Sequence, residues 1–128
     1  IFVFGSNEAG IHGAGAAKTA RIVHGAVMGK GIGLQGRSYA IPTKDTLIET
    51  LPLIIIRRYV QNFIYHAENH PENTYMVTQI GCGFAGYTPK DIAPFFQKVP
   101  SNVKLPSAFL DILLGPGNYT DDLVSYRF

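Results

Sequence analysis

The feature that most constrains this chain is a unit it uses twice: a short apolar run, a loop stripped to glycine, alanine and other small residues, then a helical pattern. The first unit opens on Ile1–Phe4, a continuous apolar run closed by Gly5, which reads as a buried strand. "GSNEAGIHGAG" follows, with four glycines and Asn7, and Ala16–Val23 predicts a helix starting just after Gly15. The second unit begins at Thr74–Ile80, rich in β-formers and read as a central strand. "GCGFAGY" is its loop. A helix then starts with Thr88 as N-cap, Pro89 at the first helical position and Asp91 completing a capping box. Pro94 lies inside that pattern, so this helix is expected to be short or bent. Strands alternating with helices predict an α/β domain with a mainly parallel sheet covered by helices. In such sheets ligands sit in loops at the carboxyl ends of the strands.

Between the two units, Leu53, Ile56, Val60, Phe63, Ile64 and Ala67 recur at steps of three and four, which predicts an amphipathic helix ended by "NHPEN". Ser38–Pro42 reads as a short strand stopped by its proline. His24–Gly36 is too glycine-rich to predict a regular element. After Val99 the pattern fades: "NVKL" suggests a late strand, "SAFLDILL" a short helix or strand, and "GPGNYTDD" a turn. The 128 residues suit one domain over 1–128, and 46% apolar residues suffice for a core. The densest apolar run, Leu51–Ile56, is far short of the ~20 residues of a membrane span, so no membrane partner is expected. The chain opens on Ile1 rather than Met, so residues are expected to precede it. One cysteine, Cys82, allows no internal disulfide and points to a reducing, cytoplasmic compartment. Oligomeric state is not legible.

Charge is uneven. Residues 1–45 carry five basic and two acidic side chains, a mild bias that suits an anionic ligand and equally suits ordinary scatter. No basic cluster is interleaved with aromatics, so nucleic-acid binding gets no direct support. Four scattered histidines and one cysteine have no metal-ligand spacing, and no metal or other cofactor is expected.

G-x-G-x-x-G occurs twice. At Gly31–Gly33–Gly36 it precedes a strand rather than a helix, the wrong context for a dinucleotide turn, and a tight structural loop is the better reading. At Gly81–Gly83–Gly86 it follows a strand and precedes a helix, where glycines let the backbone approach an anion at a helix start. A dinucleotide fold would place an acidic residue about 20 positions further on. Residues 100–110 hold none. The loop Gly10–Lys18 also leads into a helix, and two such loops clamping one diphosphate is the stronger expectation.

"FGSNEAGIHGAGAAK", "YAIPTKD" and "TQIGCGFAGYTPKDIAPFF", in this order, resemble a macro-domain-like family that binds ADP-ribose. Two branches it resembles are small bacterial and phage macro-like proteins and the DNA ADP-ribosyl glycohydrolase antitoxins. The resemblance covers roughly residues 1–97. It implies a three-layer α/β/α fold with a mixed, mainly parallel sheet, here either a minimal version or one trimmed at its amino end. It implies ADP-ribose, a related nucleotide or an ADP-ribosylated macromolecule as partner, and hydrolysis of an ADP-ribosyl bond as an activity. Binding without turnover is the alternative. It assigns Asn7 to the distal ribose, Gly13, Ala14, Gly15 and Ala16 to the first diphosphate loop, and Gly81, Cys82, Gly83, Phe84, Ala85 and Gly86 to the second, with Tyr87 near its exit. Lys44 matches the lysine that attacks the anomeric carbon in one branch.

His12, within the first loop, and Gln35, with Arg37, are further ligand candidates. Phe84 and Tyr87 either stack on a ligand or pack their loop from beneath. Cys82 has no histidine at nucleophile spacing, so a thiol enzyme is not expected. Attack by a lysine requires the neutral amine, about one part in two thousand for a free lysine at pH 7. Enriching it to the level of a useful nucleophile takes about 4 kcal/mol of desolvation or nearby positive charge, for which His12, Lys18 and Lys30 are candidates. The second loop carries no carboxylate, unlike some lysine-dependent relatives, so an acid partner must come from Glu8 or Asp45 or be absent.

Overall fold

The computed structural model describes residues 1–127. Its centre is β1 (Phe2–Asn7), flanked by β3 (Ser38–Lys44) and β4 (Tyr75–Val77), both parallel to it. β2 (Gly33–Gln35) pairs antiparallel with β3, and β5 (Val103–Lys104) pairs parallel with β4, so the sheet runs β2–β3–β1–β4–β5. The helices are α1 (Gly15–Val23), α2 (Leu53–Glu68), α3 (Pro89–Ile92) and α4 (Ser107–Leu114). The described residues thus form an α/β fold with a mixed five-stranded sheet and four α-helices.

Strand side chains alternate between two faces, and each face has its own core. On one, Phe4 and Ala40 meet Ala17 and Ala20 of α1. Alanines let this helix lie close to the sheet. On the other, Val3, Tyr39, Ile41, Tyr75 and Val77 meet Ile56, Val60, Phe63 and Ala67 of α2, with Ile92, Phe109 and Leu110 of α3 and α4. The predicted apolar stripe of α2 is therefore its buried face. Phe63 is enclosed by the rings of Tyr39, Tyr75 and Phe96 at 5.0, 5.5 and 6.5 Å. Truncating such a residue to alanine costs about 3–5 kcal/mol.

Several sequence expectations need correction. The strand expected at Ser38–Pro42 runs on to Lys44. β2 pairs only with Ser38–Ala40, so at Pro42 one flank of β3 has no strand neighbour and the lost amide is tolerated. β2 itself lies in the segment read as irregular. β4 is only three residues long, because Thr78 makes one more bond, to the carbonyl of Val3 at 3.1 Å, and Ile80 then turns back onto Thr78. The capping box forms: the Thr88 amide and hydroxyl both donate to Asp91 Oδ2, at 2.9 and 3.0 Å. α3 lasts four residues and tightens into a 3-10 turn over Ala93–Phe96, the shortening expected from Pro94. "SAFLDILL" is the helix α4 rather than a strand. Beyond it, Val124 bridges Leu105 in parallel, and the Ser125 hydroxyl donates to the Val77 carbonyl at 2.5 Å. These contacts bring Tyr126 back to Phe2, at the start of β1. No described helix is long and apolar enough to cross a membrane.

Candidate functional site

A cleft of about 620 Å³ opens where the carboxyl ends of β1, β3 and β4 meet and runs back along β1 beside α1. Gly13, Ala14, Gly15, Ala16 and Ala17 form one wall, and Gly81, Cys82, Gly83, Phe84 and Ala85 the other. The two small-residue loops therefore face a shared space. Gly15, at φ 58, is where they touch: a Cβ there would lie 3.1 Å from the Phe84 ring. The second loop is tied across to the β3–α2 connection, with Thr50 Oγ1 donating to the Ala85 carbonyl at 3.0 Å.

The loops offer many free donors. α1 begins at Ala14, an extended N-cap residue with no side chain able to cap, and its first turn holds no acid. Among the described residues, nothing accepts from the amides of Gly13, Ala14, Gly15, Ala16 or Ala17. Gly83, Phe84 and Ala85 likewise donate to no described group, whereas Cys82 and Gly86 close turns onto Gln79 and Gly83. An uncapped helix start carries partial positive charge and favours an anion. Lys44 adds a full charge, its ammonium 5.9 Å from the Phe84 ring centre. No carboxylate lines the cleft among the described residues.

Other candidates are placed differently. His12, expected at a ligand, is fully buried behind the first loop and does not line the cleft. Its Nε2 lies 3.0 Å from the Lys30 carbonyl and 3.2 Å from Gln35 Oε1, both acceptors, so this nitrogen donates, while Nδ1 is buried with no hydrogen-bond partner among the described residues. Gln35 is also buried, accepting from the Val27 amide and donating to the Lys30 carbonyl. Both hold the 24–36 segment rather than a ligand, because buried polar groups must find partners. Gly86 and Tyr87 also lie off the cleft: the Tyr87 hydroxyl donates to the Leu51 carbonyl at 2.7 Å and its ring packs on the main core. Of the two readings of Tyr87, packing the loop is the one seen. Phe84 is 74% exposed at the cleft mouth.

Asn7 lines the cleft, and its amide braces the loop, donating one N–H to the Ile11 carbonyl at 2.8 Å and accepting from the Ile11 amide at 2.9 Å, which leaves its second N–H for a ligand. Cys82 also lines it; burial, with help from the Asp91 carboxylate, pushes its thiol up to about 11, so it is no nucleophile at neutral pH. Neither candidate acid forms an ion pair with Lys44 among the described residues. Glu8 accepts a short hydrogen bond from the Tyr59 hydroxyl, and burial together with that bond pushes Tyr59 up to about 12. Asp45 Oδ1 accepts from the amides of Leu47 and Glu49. The candidate cation Lys30 donates to the Leu34 carbonyl. Among the described residues no three histidine, cysteine or acidic side chains gather as metal ligands would.

Three lining residues carried no local signal in the sequence. Phe2 and Tyr126, with ring centres 6.4 Å apart, form an aromatic end of the cleft. His24 stacks on Phe2 at 4.3 Å. Ile48 lines the Lys44 end at φ 63, the only described non-glycine residue in that region. A left-handed backbone costs an L-residue roughly 1–2 kcal/mol. No family model, curated protein or solved structure matches this chain.

Proposed function

We propose that the cleft binds ADP-ribose or a closely related nucleotide, its diphosphate held between the two small-residue loops. The observation that carries this is the pair of walls whose amides have no partner among the described residues, one of them an uncapped helix start, facing each other beside Lys44. Dimensions fit as well. β1 spans roughly 17 Å at about 3.3 Å per residue, long enough to separate a base at Phe2 and Tyr126 from a ribose at Asn7 and Lys44. Gly5 lies between those ends on β1, and Gly13–Ala17 and Gly81–Ala85 are the facing walls. In this pose the resemblance to macro-domain-like proteins and the cleft agree on the first loop, on most of the second and on Lys44. They part on Gly86 and Tyr87, which the resemblance gives to the second loop and which do not line the cleft.

Hydrolysis of an ADP-ribosyl bond is the further step the resemblance implies. Either Lys44 would displace the leaving group at the anomeric carbon, with water then cleaving the lysyl bond to release ADP-ribose, or a bound water would displace it directly. Binding without turnover is the reading favoured by one specific feature: among the described residues no carboxylate lines the cleft, and Glu8 and Asp45 are engaged in other hydrogen bonds.

Calorimetry with ADP-ribose tests the binding. Micromolar affinity that weakens in Lys44→Ala is expected; absence of specific heat ends the proposal. Incubation with ADP-ribosylated DNA and protein separates the two outcomes. Released ADP-ribose that disappears in Lys44→Ala marks an enzyme, and tight binding without release marks a binding module.

A further inference from the structure

Taking the nucleotide reading above as given, we infer that Ile48 is a specificity residue, one that makes the cleft prefer a diphosphate bearing a terminal sugar over a bare nucleoside diphosphate. The turn Asp45–Glu49 is over-determined. Asp45 donates its amide to the Glu49 carbonyl at 2.8 Å and accepts the Ile48 amide at 3.1 Å. Its carboxylate takes the amides of Leu47 and Glu49 at 2.8 and 3.0 Å. Those bonds hold Ile48 at φ 63, a conformation natural for glycine or asparagine and adverse for a β-branched residue. Strain of this kind persists where surrounding structure imposes it, and it clusters at functional sites.

Core packing does not account for the isoleucine. The side chain is 40% exposed and lines the cleft. Ile11, 51% exposed, and Phe84, 74% exposed, line it too, so three loops each bring one apolar side chain to the end that holds Lys44. The lip suits a group with an apolar face and hydroxyl edges, which describes a sugar ring: its C–H face lies on Ile48 and Phe84 while its polar edge meets Asn7 and Lys44. A bare nucleoside diphosphate leaves this lip unfilled: its terminal phosphate ends between the two loops, and the apolar surfaces of Ile11, Ile48 and Phe84 stay in water.

The test compares ADP-ribose with ADP by calorimetry in the unmodified protein and in three variants. Ile48→Gly removes both strain and side chain. Ile48→Asn keeps a left-handed residue without the apolar face, and Ile48→Val keeps a branched apolar one. The unmodified protein is expected to bind ADP-ribose at least ten-fold tighter than ADP. That ratio is expected to fall at least three-fold in Ile48→Gly and Ile48→Asn and to survive in Ile48→Val. The thermal midpoint of Ile48→Gly is expected to hold or rise, separating lost recognition from lost folding. An unchanged ratio in Ile48→Gly, or equal affinity for ADP and ADP-ribose in the unmodified protein, overturns the role of Ile48 while leaving nucleotide binding intact. Absence of binding by either compound removes the nucleotide reading and this inference together.

Discussion

Replacing Ala14 by aspartate sets stability against binding at a single position. Ala14 is the N-cap of α1, and its backbone at φ −153, ψ 160 already has the extended geometry of a capping residue. An aspartate there can accept from amides of the first turn, which have no described partner. Capping contributes about 1 kcal/mol, and a negative charge at a helix start adds about 0.3–1 kcal/mol. A gain of about 1–2 kcal/mol raises the melting midpoint by roughly 3–10 °C for a domain of this size. The same carboxylate would occupy the wall where the diphosphate is proposed to sit. Two opposed charges of like sign 4 Å apart repel by about 4 kcal/mol at an effective dielectric of 20. Affinity for ADP-ribose should therefore fall by at least a hundred-fold. Ala14→Ser separates the contributions, since it caps without charge and should give most of the stability with a smaller loss of binding. Differential scanning calorimetry reads the first quantity and titration calorimetry the second. Unchanged or tighter ADP-ribose binding in Ala14→Asp would falsify the placement of the diphosphate at this helix start, and a lower melting midpoint would show that the orphan amides are not open to a cap.

Gly31→Ala is expected to destabilise by about 2–4 kcal/mol in urea unfolding, because a methyl there would overlap the Asn7 carbonyl oxygen and displace the bond from Ser6 Oγ to the Gly31 carbonyl. Gly83→Ala, whose Cβ meets nothing within 4 Å, should stay within about 0.5 kcal/mol; similar losses in both would refute this division between structural and cleft glycines. Burial, with neighbouring His70 adding to it and Glu72 opposing, holds His66 below the ordinary histidine range. The unfolded chain then protonates first, so this contribution to stability is complete above about pH 6.5 and declines as pH falls toward the folded-state value. Urea midpoints across pH 5–8 should show that decline, and His66→Gln should flatten it; an unaltered slope counts against the assignment. Cys82 should react with iodoacetamide at pH 8 about a hundred-fold more slowly than a free cysteine in the native protein, and at the ordinary rate once unfolded; rapid native labelling contradicts its raised thiol.

The sequence by itself determined the alternation of elements and the core face of α2. Apolar spacing at Ile56, Val60, Phe63 and Ala67, the capping box of Thr88 and Asp91, and the small residues at 13–16 and 81–85 act within a few residues of themselves, so local chemistry carries them. Pro42 misled because its tolerance depends on how far β2 extends along β3, a pairing fact and not a local one. His12 and Gln35 misled for a related reason: polar residues near a glycine loop look available until the fold buries them and they must satisfy each other. Only tertiary structure decided that the two loops share one cleft, because the parallel sheet order brings the ends of β1 and β4 together across more than seventy residues of chain. It also decided that Tyr126 returns to Phe2 and that the turn carrying Ile48 borders the same cleft as Lys44. Tyr126 has no local signature, since its return arises from contacts between distant segments; the Ile48 φ is set within its own turn, and the fold decides only where that turn lies.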